Sequence, residues 1–320
     1  MAARHALALS DGAAGNANQA RAMAMAMSAS VDELHLVPRA PWRWFSPHQF
    51  LGNQYALGSE FTQCLQPPWP ELAIGCGRQA ALATRLLRQA SAGACKVVQI
   101  LDPRIDPAHF DLVITPQHDG LVGDNIITTL GSLNVIDDAW LQQARTAFSE
   151  LLNLPTPRYA LLLGGPTRAL TLDRNYWNQL VTTLSRRLRA EGASLMLSSS
   201  RRTPDWLRHA AREAFGEIPN RQWHGPDDGE NPYAGFLAWA DAIVVTPDSV
   251  NLLSEAAATR APVWTFAPHG INGKIGDFVA ALHERGRTRF LGESAAPGPI
   301  MPLRETARVA TEIRTRFGWT

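Results

Sequence analysis

Asn231–Phe266 reads NPYAGFLAWADAIVVTPDSVNLLSEAAATRAPVWTF. The pattern predicts a short helix over Asn231–Trp239, then an apolar strand, Ala242-Ile243-Val244-Val245. Thr246-Pro247-Asp248-Ser249 reads as a turn, Val250–Thr259 as a second helix and Pro262–Phe266 as another strand. A turn at the carboxyl end of a parallel strand is where open α/β sheets place their ligands. Ser249 can cap the helix that follows, whose free N–H groups and dipole favour an anion. Glu255 lies about two turns into that helix. An acid so placed can hydrogen-bond a ribose while a phosphate sits at the helix start.

The same alternation extends in both directions. Strand-like runs are His5–Leu9, Val31–Leu36, Leu72–Gly75, Lys96–Leu101 and Leu112–Thr115, with Ile126–Leu130 and Asn134–Ile136 extending the region. Helical patterns cover Asn16–Ser28 and Arg78–Ala90. Such alternation implies a parallel sheet covered by helices. A helix over Asp138–Leu152 ends at Asn153-Leu154-Pro155-Thr156-Pro157, where two prolines favour an extended linker. The pattern then restarts with strands Tyr159–Leu163 and Ser194–Leu197 about a long helix, Asn175–Glu191. These readings give an α/β chain with two parallel-sheet domains over 1–154 and 155–302, and a last helix within 303–320.

With 320 residues there is room for two such domains. A formal charge of +1 gives no reason to expect nucleic-acid binding. Lys96 and Lys274 are the only lysines, so the basic residues are otherwise arginines, a bias that a GC-rich genome explains. Cys64, Cys76 and Cys95 are odd in number and lack metal-ligand spacing, which fits a reducing cytoplasm and predicts no metal site. The start, from Met1 into His5–Leu9, lacks the long apolar core of a signal peptide, and no run approaches a membrane span.

Several strand ends carry candidate chemistry. Asp11-Gly12-Ala13-Ala14-Gly15-Asn16-Ala17-Asn18-Gln19 follows the first strand, and its glycines let a ligand approach the backbone. It has neither the dinucleotide nor the Walker spacing, and an ordinary βα turn accounts for it equally. Gly12, Gly15, Asn16 and Gln19 are candidate cleft residues, and Asp11 a candidate base. Gly75-Cys76-Gly77-Arg78 repeats the placement, with Arg78 either facing a ligand or merely solvated. His118, in Thr115-Pro116-Gln117-His118-Asp119, is a second candidate base, though a lone histidine at a strand end is often structural.

In the second half, three loops follow strands: Gly164-Gly165-Pro166-Thr167-Arg168, Ser198-Ser199-Ser200-Arg201-Arg202-Thr203-Pro204, and Thr246–Ser249. Thr203 is placed to cap a helix with Pro204 at its first position. Hydroxyls, arginines and helix N–H groups at one sheet edge suit a phosphate; helix caps without a ligand are the plainer alternative. Gly164, Gly165, Thr167, Ser199, Arg201, Thr246, Asp248, Ser249 and Glu255 are the candidate contacts for such a ligand. Lys274 is either a further cleft residue or a solvated loop lysine.

Arg39–Pro70 breaks the pattern, with Trp42, Trp44, Phe45, Phe50, Tyr55, Phe61 and Trp69 among prolines and arginines. Rings beside arginines suit a membrane interface or an acceptor. The reading favoured by the sequence is an irregular lid packing its rings on the first domain, because no helical face there is strongly one-sided.

Together these motifs resemble the mitochondrial-fission ELM (elongated mitochondria) family. The resemblance rests on the Asp11–Gln19 loop, Gly75-Cys76-Gly77-Arg78, Pro116-Gln117-His118-Asp119, Gly164-Gly165-Pro166-Thr167, Ser200-Arg201-Arg202-Thr203-Pro204, Asn231-Pro232-Tyr233 and, most specifically, Ala240–Asn251 continuing to Ser254-Glu255-Ala256. It implies a GT-B-like fold, two Rossmann-like domains facing a central cleft, with the last helix packing back on the first domain. It also implies a nucleotide-sugar donor on the second domain and an acceptor of unknown chemistry on the first. The expected activity is metal-independent glycosyl transfer without a cofactor, the donor being substrate. A nucleotide-sugar 2-epimerase of the same fold, and a non-enzymatic scaffold that recruits a protein partner, are the alternatives. The last follows the plant founding member, linked to recruiting a dynamin-related protein to mitochondria. The expected location is cytoplasmic, with peripheral contact at the inner face of the membrane. Arg260 departs from the GT-B pattern, standing where glycine commonly ends the helix; a left-handed conformation there would cost on the order of 1 kcal/mol.

Overall fold

A strand buried on both faces needs no polar alternation, and the run Tyr-Ala-Leu-Leu-Leu over 159–163 has none. The computed structural model describes residues 5–294 and 299–319, and these form two six-stranded parallel sheets. The chain divides into two units, residues 1–135 with 304–320, and residues 136–303.

The first unit runs β1 (His5–Ser10), α1 (Ala14–Met27), β2 (Ser30–His35), α2 (Trp42–Phe45), α3 (Ser59–Cys64), β3 (Leu72–Cys76), α4 (Arg78–Ala90), β4 (Lys96–Ile100), β5 (Leu112–Pro116) and β6 (Ile126–Thr129). Its strand order is β2-β1-β3-β4-β5-β6. The two-residue period of a strand sorts its core. Ala6 and Ala8 join one apolar cluster with Met23, Leu72 and Ile74, whereas Leu7 and Leu9 join another with Ala73, Leu82 and Leu87.

The second unit runs α5 (Asp138–Ala147), β7 (Arg158–Leu163), α6 (Arg174–Glu191), β8 (Ser194–Ser199), α7 (Asp205–Ala214), β9 (Asn220–Trp223), α8 (Tyr233–Trp239), β10 (Ala242–Val245), α9 (Val250–Ala257), β11 (Val263–Thr265), α10 (Gly273–Glu284) and β12 (Thr288–Phe290). Its order, β12-β11-β10-β7-β8-β9, is the doubly wound Rossmann order, with the switch point between β7 and β10. The final helix, α11 (Glu305–Phe317), lies in the first unit, where Val309, Ala310 and Ile313 join the cluster that holds Met23 and Met27.

The proline stretch near 155 lies inside the second unit. The reason is α5, whose Arg145 Nε donates to the Ala238 carbonyl of α8 at 2.8 Å. Arg158 ties the stretch further, donating to the Leu152 and Leu154 carbonyls at 2.9 and 3.1 Å. Asn134–Ile136 is not a strand. There the Asn134 amide donates to Thr306 Oγ1 at 3.0 Å, and that hydroxyl returns a bond to the Asn134 carbonyl at 2.7 Å, so α11 satisfies the backbone that a ladder would have used. Among the described residues no helix is long and apolar enough to cross a membrane.

The aromatic segment divides. Phe61 is fully buried, and Trp42 and Trp69 pack against the first unit's core. Trp44, Phe45, Phe50 and Tyr55 do not follow them inward and stay exposed.

Candidate functional site

At the switch point of the second sheet, the three loops meet. Thr246 Oγ1 accepts from Gly164 N at 2.8 Å and donates to Asp248 Oδ1 at 2.7 Å. Asp248 Oδ2 accepts from Gly165 N at 2.9 Å and from Arg202 Nη2 at 2.6 Å. Thr203 Oγ1 closes the third side, donating to the Gly164 carbonyl, 2.6 Å away. Gly164, Gly165, Thr246 and Asp248 thus form one junction, in which the anion at the glycine turn is the chain's own carboxylate. Asp248 is buried, and that burial pushes its carboxyl up despite the donors around it.

One expectation is corrected here. Thr203 does not cap α7, whose preceding residue is Pro204; its hydroxyl holds the end of β7 instead. Arg260 does not take the left-handed conformation that a glycine there would favour, so the turn is altered. The end of α9 is instead closed by Thr259 Oγ1 donating to the Ala256 carbonyl at 2.8 Å and by buried Arg287, whose Nη2 donates to the Ala257 carbonyl at 2.8 Å. Burial pushes the Arg287 guanidinium down to about 10.

Beyond the junction, α9 begins as the sequence indicates: Ser249 Oγ accepts from Leu252 N at 3.4 Å. Among the described residues no acceptor meets the amides of Val250 and Asn251, so the helix start presents two open N–H groups. Glu255 lies about 7.5 Å further along the axis. Its Oε2 accepts from Tyr233 Oη at 2.5 Å, and no protein group meets Oε1 among the described residues. Burial pushes the Glu255 carboxyl up, with the Tyr233 bond opposing it; burial likewise pushes the Tyr233 phenol up. Arg201 is exposed, and Arg202 is half exposed above Asp248. Thr167 serves its own turn, accepting from Ala169 N and Leu170 N at 3.2 and 3.1 Å. Lys274 is exposed in the first turn of α10, after β11.

Ser199 faces a residue the sequence did not single out. Its Oγ lies 2.7 Å from His224 Nδ1, and Gln222 Oε1 lies 2.9 Å from Nε2. Gln222 Nε2 donates to Asn220 Oδ1, which orients the amide. We therefore assign the imidazole hydrogen to Nε2, with the Ser199 hydroxyl donating to Nδ1. Burial, then the charge of Arg212, pushes His224 down to about 4; Arg208 and His209 add to this, while Asp228 opposes it. In the unfolded chain the ring titrates near 6.5. Between these values the unfolded state binds more protons. Stability is therefore full above about pH 6.5 and falls toward pH 4, by up to about 3 kcal/mol. Urea melts across that range should show the loss, and His224→Asn, whose amide oxygen still accepts from Ser199, should flatten it. A wild-type profile identical to that of the variant would show that His224 does not set it.

In the first unit the switch point lies between β1 and β3. Asp11 Oδ1 accepts from Ala13 N and Asn16 Nδ2, each at 3.1 Å. Gly77 takes φ +90, and a Cβ on it would lie 2.7 Å from Asn16 Nδ2, so glycine is needed on both counts. Gly12 and Gly15 lie in the turn and first residues of α1, and exposed Arg78 opens α4 just beyond Gly77. Gln19 is placed differently: it is buried, and its Oε1 accepts from Leu133 N at 3.3 Å. His118 stands in the 3₁₀ turn after β5, three strand spacings from β1, or about 14 Å. Asp11 and His118 are therefore alternatives as bases, not a pair. Among the described residues no group of three His, Cys, Asp or Glu is arranged to hold a metal ion.

Arg202, His224 and Tyr233 are the participants that sequence reasoning left out. Arg202 and Tyr233 carried a signal, through the loop Ser198–Pro204 and the motif Asn231-Pro232-Tyr233; His224 carried none, and the Tyr233 bond to Glu255 spans 22 residues.

Known proteins bear on this geometry at two levels. The Methanocaldococcus jannaschii UDP-GlcNAc 2-epimerase superposes with TM-score 0.60 at 12% identity, covering 98% of this chain and 99% of that one. Acinetobacter baumannii MurG gives 0.51 at 12% identity, over 98% and 91%. These likenesses and the two parallel sheets make the fold GT-B-like. At the level of sequence, Mitochondrial fission protein ELM1 of Arabidopsis thaliana is 32% identical over 289 residues, covering 81% of this chain and 67% of the plant protein. The family model described as Mitochondrial fission ELM1 matches residues 14–317, and the chain belongs to that family.

Proposed function

We propose that the second unit binds a nucleotide sugar and that the protein transfers the sugar without a metal ion. One observation carries the reading: the open start of α9 and the free Oε1 of a desolvated Glu255 lie on one helix at the switch point of a Rossmann-ordered sheet. That spacing suits a phosphate and the ribose diol beyond it. The helix amides and Arg202, with Arg201 beside it, would stabilise the leaving diphosphate. The acceptor would bind on the first unit, with Asp11 or His118 taking its proton.

The epimerase reading keeps the same donor contacts and needs no acceptor, so products formed without acceptor separate the two. The name of the superposed epimerase makes UDP the first nucleotide to test. Calorimetric titration with UDP, GDP, CMP and their sugar conjugates should show one nucleotide bound. Glu255→Ala should weaken it roughly thirtyfold, the value of a hydrogen bond to a charged group. Absence of binding across the panel, from folded protein, would overturn the donor site. If turnover is found, Asp11→Ala or His118→Ala should abolish most of it.

A further inference from the structure

Most exposed apolar side chains of the first unit, Met25 and Val122 apart, fall in one segment. Val37, Trp44, Phe45, Phe50, Leu51 and Tyr55 all lie between β2 and α3, with Leu51 98% and Trp44 68% exposed. The segment is held from beneath. Trp42 packs on the core and its Nε1 donates to the Leu51 carbonyl at 3.1 Å. Arg85 of α4 donates to the Pro47 carbonyl at 2.8 Å, and Gln49 pairs with Gln89 at 3.0 Å. The Phe45 and Phe50 rings meet edge to face at 5.0 Å. Fixed apolar tips project to solvent while the inner side is anchored.

Charge accompanies them. Between Leu34 and Ser59 there is no acid, while Arg39, Arg43 and His48 are exposed. Beside the segment is a basic pocket of about 310 Å³ lined by Arg85, Arg88, Gln89 and His109. The Nε atoms of Arg85 and Arg88 are buried without a hydrogen-bond partner among the described residues, which costs free energy. The one acid paired there, Asp111, is shared between Arg88 and Lys96, each at 3.6 Å.

We infer that this face docks on an anionic lipid surface. Trp44, Phe45, Phe50 and Leu51 enter the headgroup boundary, and Arg39, Arg43 and the Arg85–Arg88 pocket meet lipid phosphates. Projecting apolar tips beside basic side chains suit insertion at an anionic interface. Rings with one apolar face suit the interface, and arginine forks suit phosphate oxygens. The inference is independent of the nucleotide-sugar reading.

The test is sedimentation of the full chain with vesicles of phosphatidylcholine alone or containing phosphatidylglycerol. The wild type should pellet with the anionic vesicles and release in high salt. Arg39→Ala with Arg43→Ala should lower the partition on the order of twentyfold, from about fivefold per basic side chain. Leu51→Ser with Trp44→Ser should abolish it while the melting curve stays that of the wild type. Leu51→Ser alone, at a side chain almost wholly in water, guards against misfolding as the cause. A wild type that stays in the supernatant, equal pelleting with neutral vesicles, or variants that bind like the wild type would each overturn the proposal. So would a face that ignores vesicles but loses a co-purifying protein in the Leu51→Ser variant, which would assign it to a protein partner.

Discussion

Gly165→Ala is expected to destabilise the second unit by about 3–5 kcal/mol, the range of severe overpacking and broken buried networks. A Cβ there would lie 2.3 Å from the Arg202 carbonyl oxygen and 2.7 Å from its carbonyl carbon. These are backbone atoms of a loop pinned by Thr203 Oγ1 to the Leu163 and Gly164 carbonyls at 3.0 and 2.6 Å, so they cannot turn aside as a side-chain tip would. Gly164→Ala should be nearly as harmful, because its Cβ would lie 1.9 Å from Asp248 Oδ1. Neither glycine is in the left-handed region, so the requirement is close approach and not backbone conformation. Gly12 supplies the contrast: φ is +77, and nothing lies within 4 Å of its Cβ. Gly12→Ala should cost on the order of 1 kcal/mol. Equal urea midpoints for the Gly12 and Gly165 variants would show that the junction is not tightly packed.

Why these glycines matter was not legible in the sequence, although their position was. Buried parallel strands are written as continuous apolar runs, so β7, β8 and β10 could be read, and with them the loops at their ends. β9, Asn-Arg-Gln-Trp over 220–223, is a polar edge strand, and β12 has only Thr-Arg-Phe over 288–290; neither carries an apolar run or alternation long enough to be noticed. Helix starts depend on neighbours in sequence, which is why the Ser249 cap could be anticipated. The Thr203 hydroxyl had two kinds of partner within reach, and a strand end 39 residues away took it. The same limit hid the Tyr233–Glu255 and Ser199–His224 pairs. Local chemistry announces a candidate hydroxyl or acid; only the sheet order decides what it faces.

Asp248→Ala should cost about 3 kcal/mol, and most of that should come from the backbone it leaves behind. Gly165 N–H would lose its acceptor inside the protein, at about 1–3 kcal/mol, while the Thr246 hydroxyl would fall back on the Leu162 carbonyl at 3.3 Å. Arg202 contributes less, because its half-exposed guanidinium can turn to water. Arg202→Ala should accordingly cost under about 1 kcal/mol. If the two substitutions cost the same in urea melts, the ion pair and not the backbone junction would be what Asp248 supplies. Asp248→Asn should fall between them: the amide keeps an oxygen for Gly165 N–H and Arg202, which share Oδ2, and escapes the desolvation that pushes the carboxyl up, but its NH₂ takes the place of the Oδ1 that accepts from the Thr246 hydroxyl. The decisive reading is with anion present. In the wild type Asp248 already fills the glycine turn, so inorganic phosphate can compete only for Arg202 and the α9 amides. In Asp248→Ala the Gly165 N–H and Arg202 are both unpaired. Ligands that bind only the folded state raise its stability by mass action, so phosphate should raise the Tm of Asp248→Ala more than that of the wild type. An equal rise in both would mean that the turn, once emptied, is no anion cradle, and that any diphosphate rests on the start of α9 alone.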